Sequence, residues 1–217
     1  MIGAGASSPL GPLLVLTDRT QCRRPLAQVV GAAVEGGART VVLREKDLPD
    51  AGRAELVEQL RALVGPVGGR LVVAGPPLPD AAADRACDAV HLSAVDALPV
   101  PRPPLVGRSC HDLASVRRAA AEGCDWVTVS PVRATASKPG YGPALGLDGL
   151  AATTGCGVPV YALGGLTPDD AAACLSAGAA GIAVMGAVMR ADRPDRVVAE
   201  LLAALRPDRS VADGSRR

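Results

Sequence analysis

Phenylalanine is absent from this chain, and the other aromatics amount to one Trp and two Tyr. A core must therefore be packed from small, branched side chains, which suits the interior of a parallel barrel. The same scarcity leaves no aromatic platform for stacked bases. A net charge of +1 leaves no basic footprint either, so no nucleic-acid partner is expected. The six cysteines, Cys22, Cys87, Cys110, Cys124, Cys156 and Cys174, form no CxxC pair and no Cys/His cluster. Free thiols in a reducing cytosol are the expectation. No apolar run approaches the ~18 residues of a membrane span, so no membrane partner is expected. The opening MIGAGASSPLGP lacks a basic region and a long apolar region. It does not read as a signal peptide, and a cytoplasmic location is expected. The G-x-G-x-x-G fingerprint of a dinucleotide fold is also missing after the first strand.

What is present is alternation. Short apolar runs at 13–17, 40–43, 71–74, 89–92, 105–108 and 126–129 read as strands. Between most of them lie segments with apolar residues at helical spacing, at 25–37, 52–64, 80–87 and from Asp112 to Gly123. Asp112 reads as a helix cap, and Gly123 as a stop. A proline-rich stretch, 98–104, replaces one helix. A loop from 130 to 146 and a weak helix at 147–154 lead to PVYALGGLTPDDAAACLSAGAAGIAVMGAVM, residues 159–189. That stretch reads as strand, Gly-Gly turn, helix and strand. A closing helix at 193–205 follows. Alternating βα units over one domain length argue a parallel sheet, and eight of them favour an α/β fold closed as a single (β/α)8 TIM barrel. The expected division is a flexible lead-in at 1–12, a barrel at 13–206 and a polar tail at 207–217.

In such barrels chemistry sits at the C-terminal ends of the strands. The polar residues falling there are Asp18, Arg44, Glu45, Lys46, Ser93, Asp96, Ser109, His111, Ser130, Thr135, Ser137 and Lys138. Gly164, Gly165 and Gly186 add turns rich in backbone N–H groups, which bind phosphate well. Cations, hydroxyls and amides on one rim define an anion site, and the substrate expected is a small phosphorylated molecule. His91 and Trp126, inside strands, read as structural.

At these strand ends the chain resembles the thiamine phosphate synthase / thiazole tautomerase superfamily. The matching pieces are LVLTD, LREK, AVHLSAVD, GRSCH, SPVRATASK, PVYALGGLT and GIAVMGAV, in order from about Leu14 to about Pro194. The synthase joins a pyrimidine pyrophosphate to a thiazole phosphate with Mg²⁺. The resemblance implies that Thr135, Ser137, Gly165, Met185 and Gly186 hold the thiazole phosphate. It implies that Arg44, Lys46, Ser109 and Lys138 hold the pyrophosphate, and that Asp96 is a metal ligand if synthase activity is retained.

The chain also departs from the synthase pattern. Val42 stands where that pattern has Gln, and Arg133 where it has Phe. Ala74-Gly75 stand where it has Asn-Asp, the Asp being a Mg²⁺ ligand. The tautomerase branch needs only the thiazole-phosphate half. It moves a proton on a thiazole carboxylate phosphate to give the aromatic tautomer, with His111 as the proton carrier and no cofactor. Imidazole can both take and return a proton near neutral pH. A tautomerase-like isomerase is thus the leading expectation, with the Mg²⁺-dependent synthase, a transferase, as the alternative. A barrel that binds thiazole phosphate without turnover is a further alternative. The short, apolar-rich outer helices would permit a homodimer.

Overall fold

The computed structural model describes residues 8–78, 87–134 and 143–206. Eight strands close into one barrel in chain order: β1 (Leu13–Leu16), β2 (Thr40–Leu43), β3 (Arg70–Ala74), β4 (Ala89–Leu92), β5 (Val106–Cys110), β6 (Trp126–Val129), β7 (Val160–Leu163) and β8 (Gly181–Val184). Every neighbouring pair is parallel, and β8 returns to β1 with Ala183 opposite Leu14. The outer helices are α1 (Leu26–Glu35), α2 (Asp50–Val64), α3 (Leu113–Ala121), α4 (Gly146–Thr153), α5 (Pro168–Ser176), the single turn α6 (Gly186–Met189) and α7 (Pro194–Ala204). The helix expected at 80–87 falls almost wholly outside the described residues. Two elements differ from expectation. β5 runs on to Cys110, so Ser109 is a strand residue. The turn α6, too short to show helical periodicity, follows β8 directly.

Because side chains alternate across a strand, the strands build two cores. Leu13, Val15, Val41, Leu43, Val73 and Leu92 face outward and pack under the helices. Leu14, Leu16, Val42, Val72, Ala74, Trp126, Tyr161 and Ala183 face inward and fill the barrel. With no Phe available, Trp126 and Tyr161 supply the interior bulk, and both are fully buried. Trp126 fits because Gly107 faces it; a Cβ on Gly107 would overlap the indole. Tyr161 needs partners for its hydroxyl. It donates toward the carbonyl oxygens of Leu10 (3.1 Å) and Gly11 (2.8 Å) and meets Ser8 Oγ at 2.6 Å. The stretch from Ser8 onward, read from composition as a loose lead-in, is thus packed across the N-terminal end of the barrel, with Leu10 buried. A Gly/Pro-rich composition does not reveal a partner waiting on a distant strand.

Among the described residues no helix is long and apolar enough to cross a membrane. No disulfide forms among the six cysteines; Cys110, Cys124 and Cys174 are buried. Burial pushes the Cys110 thiol up to about 11, so it is no nucleophile at neutral pH.

Candidate active site

The C-terminal mouth of the barrel holds a cavity of about 540 Å³. One flank is made by the ends of β7 and β8. Gly164 and Gly165 turn the chain with φ of +104° and +64°, a region that costs glycine little and other residues much. Space adds a second constraint. A Cβ on Gly165 would overlap the Ala134 carbonyl, so the loop after β6 lies directly against this turn. Backbone bonds hold it there, from Val132 N–H to Leu163 (2.9 Å) and from Arg133 N–H to Gly164 (3.0 Å). Met185 and Gly186, after β8, line the same flank.

The other flank comes from β2 to β5. Lys46, Ser93 and Ser109 line it, with Ala74 beside them and His91 below. His91 is 6% exposed. Its Nε2 lies 3.1 Å from both Ser109 Oγ and Thr128 Oγ1. Its ring stacks on Trp126, 5.9 Å between centroids. Burial first, then the charges of Lys46 and Arg108, push its pKa down to about 3. His91 is therefore a neutral floor to the cavity. Its Nδ1 has no hydrogen-bond partner among the described residues. Read from sequence as structural, it also touches the site; the signal was its place one residue before the end of an inward-facing strand.

Between the flanks stands His111, just after β5. Its Nδ1 lies 2.8 Å from the Ser130 carbonyl oxygen. A carbonyl only accepts, so Nδ1 carries the proton and the neutral ring's lone pair is on Nε2. The backbone is fixed by the cap of α3, where Asp112 accepts from Ser115 N–H (2.7 Å) and Ser115 Oγ accepts from His111 N–H (3.1 Å).

The cations divide. Lys46 acts electrostatically on His91 and Asp96, on the β3–β5 side. Arg44 instead reaches across the end of β1, with a guanidinium nitrogen 3.9 Å from Met185 Sδ. The Glu45 carboxylate is buried and accepts from Thr17 Oγ1 (2.8 Å), Arg19 N–H (3.0 Å) and the Arg19 guanidinium (3.1 Å), locking the turn between them. Arg190, at the end of α6, also lines the cavity and was not singled out from sequence. It covers Gly186 so closely that a Cβ there would overlap its guanidinium. Only the single turn α6 puts it there. Arg133 is directed away, bonded to Asp170 at 3.0 Å. Thr135, Ser137 and Lys138 lie outside the described residues.

Asp96 lies just after β4. Its Oδ2 accepts from Ser93 N–H at 2.7 Å, closing the turn after β4. Burial alone would raise its pKa, but the bonds to Ser93 and the charges of Lys46 and Arg108 hold it below the ordinary value. Arg108, buried on the outer face of β5, clamps this turn through the Ser93 and Asp96 carbonyls (3.0 and 2.8 Å) and pairs with Glu122 (2.9 Å). Ala74 and Gly75 bring no donor side chain. Among the described residues, no three His, Cys, Asp or Glu gather as a metal site. The residues at the ends of β3 and β4 therefore do not fit the two-carboxylate magnesium seat that the synthase resemblance implies.

Fold and mouth together define a (β/α)8 barrel with a cavity at its C-terminal face, lined by basic side chains and glycine turns. The family model described as thiamine monophosphate synthase matches residues 13–188, and the chain belongs to that family. A relative from Geobacter sulfurreducens is 40% identical, covering 91% of this chain and 95% of its own. The thiamine-phosphate synthase of Anaeromyxobacter dehalogenans is 37% identical, covering 96% and 94%. Among solved structures, thiamine phosphate pyrophosphorylase from Pyrococcus furiosus is 29% identical, with a TM-score of 0.77 over 89% of this chain and 94% of that one. These similarities point to the synthase rather than to the tautomerase expected first.

Proposed function

We propose that the protein is an enzyme of thiamine biosynthesis that joins a pyrimidine diphosphate to a thiazole phosphate, giving thiamine phosphate and pyrophosphate. One observation carries this reading. A single cavity has two separate polar flanks, glycine turns on one side and Lys46 with Ser109 on the other, so two phosphorylated partners can lie side by side. A one-substrate isomerase needs only one flank. Family membership supports the same choice.

In this reading the thiazole phosphate takes the flank of Gly164, Gly165, Met185 and Gly186. Its ring nitrogen then faces the pyrimidine. The carbon–oxygen bond to the diphosphate breaks, the departing diphosphate keeps the electron pair, and the thiazole nitrogen forms the new carbon–nitrogen bond. Lys46 and Ser109 meet the leaving diphosphate, with Lys138 carried over by the resemblance. Stabilising charge on a leaving group is what such preorganised cations and donors do. Mg²⁺ would supply further charge neutralisation, but the residues at β3 and β4 do not make its seat, and no step here depends on it.

A second reading, proton transfer on a thiazole carboxylate phosphate, rests on His111, whose Nδ1 bond to Ser130 sets up Nε2 as a base. It needs no donor at Ala74-Gly75. One assay separates the two. Purified protein is offered both coupling substrates, with and without Mg²⁺, and separately the non-aromatic thiazole carboxylate phosphate. Thiamine phosphate as the product supports the coupling reading. No coupling, together with aromatisation that His111→Ala abolishes, replaces it with the second. Saturable binding without either product leaves a silent barrel.

A further inference from the structure

The glycine-turn flank carries more positive charge than its backbone amides. Two guanidinium groups lie at the Met185–Gly186 turn. Arg44 comes from the end of β2, 3.9 Å from Met185 Sδ. Arg190 comes from the end of α6 and lies over Gly186. Both line the cavity. Among the described residues neither is within 4.0 Å of a carboxylate.

Their placement is supported. Arg190 Nη1 donates to Gln21 Oε1, and Gln21 Nε2 donates to Asp18 Oδ2 at 2.6 Å. Burial would raise the Asp18 pKa, but bonds from Thr20 and Gln21, with the charge of Arg44, hold it low. The Asp18 carboxylate thus anchors Gln21, and Gln21 presents a carbonyl that orients the guanidinium without neutralising it. A cation held in place by a neutral acceptor, above a turn of backbone donors, is arranged for a dianion.

We propose that Arg190, positioned by Gln21 and working with Arg44, is a phosphate-binding residue that makes this flank specific for a phosphorylated over an unphosphorylated ligand. The proposal rests on the reading that a thiazole phosphate occupies the flank. A bidentate guanidinium on a phosphomonoester adds charge-assisted hydrogen bonds that the ligand's alcohol form cannot make.

Calorimetry with thiazole phosphate and with the corresponding thiazole alcohol tests it, on the wild type, Arg190→Gln and Arg190→Lys. Arg190 is exposed, so neither substitution removes a core contact. Arg190→Gln is expected to weaken the phosphate ligand by roughly tenfold to a hundredfold and to leave the alcohol within about twofold. Arg190→Lys, which keeps charge but loses the planar fork, is expected to recover part of the loss. Equal weakening of both ligands would mean Arg190 only shapes the turn, and unchanged phosphate affinity would remove it from the site; either overturns the proposal while the proposed function stands. A wild type that binds phosphate and alcohol alike would sink the proposed function, and this proposal with it.

Discussion

The two flanks of the mouth are built on different principles. The β7–β8 flank is made of backbone: left-handed glycines, a loop wedged against them by Gly165, and guanidinium groups brought in from elements outside the turn. The β3–β5 flank is made of side chains on a nearly bare strand end: Lys46, Ser109 and a neutral His91, with Asp96 folded back onto its own turn. A backbone seat tolerates change of neighbouring side chains but not of its own geometry. A side-chain seat can lose one donor, as at Ala74-Gly75, and keep its shape. This explains how one half of a shared cavity keeps the family pattern while the other departs from it.

The contrast breaks first at Gly165. Gly165→Ala puts a Cβ at positive φ and into the Ala134 carbonyl. It is expected to cut turnover roughly 100-fold by displacing the turn proposed to hold the phosphate, and to cost about 1–3 kcal/mol of stability. Steady-state kinetics and chemical denaturation check this; turnover near wild type would show that the seat is not made of backbone.

His91→Gln tests the other flank through pH. The His91 pKa is about 3 in the folded protein against 6.5 ordinarily, so the unfolded chain takes up the proton first. The stability held by the neutral ring is complete above 6.5 and falls as pH drops from 6.5 toward 3. At pH 4.5 the wild type should have lost about 2–3 kcal/mol through this group relative to neutral pH. The variant should lose that much less between the two pH values. Equal pH dependence of denaturation in both proteins would show His91 to be wet and titrating normally.

Asp96→Asn should have the smallest effect. An Asn oxygen can still accept from Ser93 N–H, so a stability change of under about 1 kcal/mol is expected, with little change in turnover. A metal ligand would lose at least the roughly 10–100-fold that even partners of metal ligands cost. A loss that large, reversed by raised Mg²⁺, would restore the magnesium seat at this position.

The barrel was legible in the sequence because strand and helix periods are local. Four-residue apolar runs at regular spacing left little choice, and Asp112 and the Gly-Gly turn marked element ends through backbone chemistry. Gly164, Gly165, Met185 and Gly186 were legible for the same reason. Other residues were not. Arg190 looks like any surface arginine until α6 aims it at Gly186. His91 reads as core from its apolar neighbours, yet it forms the cavity floor. Asp96 reads as a metal ligand, and nothing local shows that one of its oxygens also accepts from Ser93 N–H. The Gly/Pro-rich residues before β1 give no hint of Tyr161.

The fold class, the order of strands and the glycine turns at the ends of β7 and β8 could be read from the chain alone, since each depends on conformational preferences within a few residues. It took the folded barrel to settle which side chains share the cavity, which of the described cations lack a described counter-ion, and which carboxylate oxygen closes a turn. Those depend on Coulomb and hydrogen-bond partners that close approach brings from distant strands, and such interactions fall off within a few ångströms.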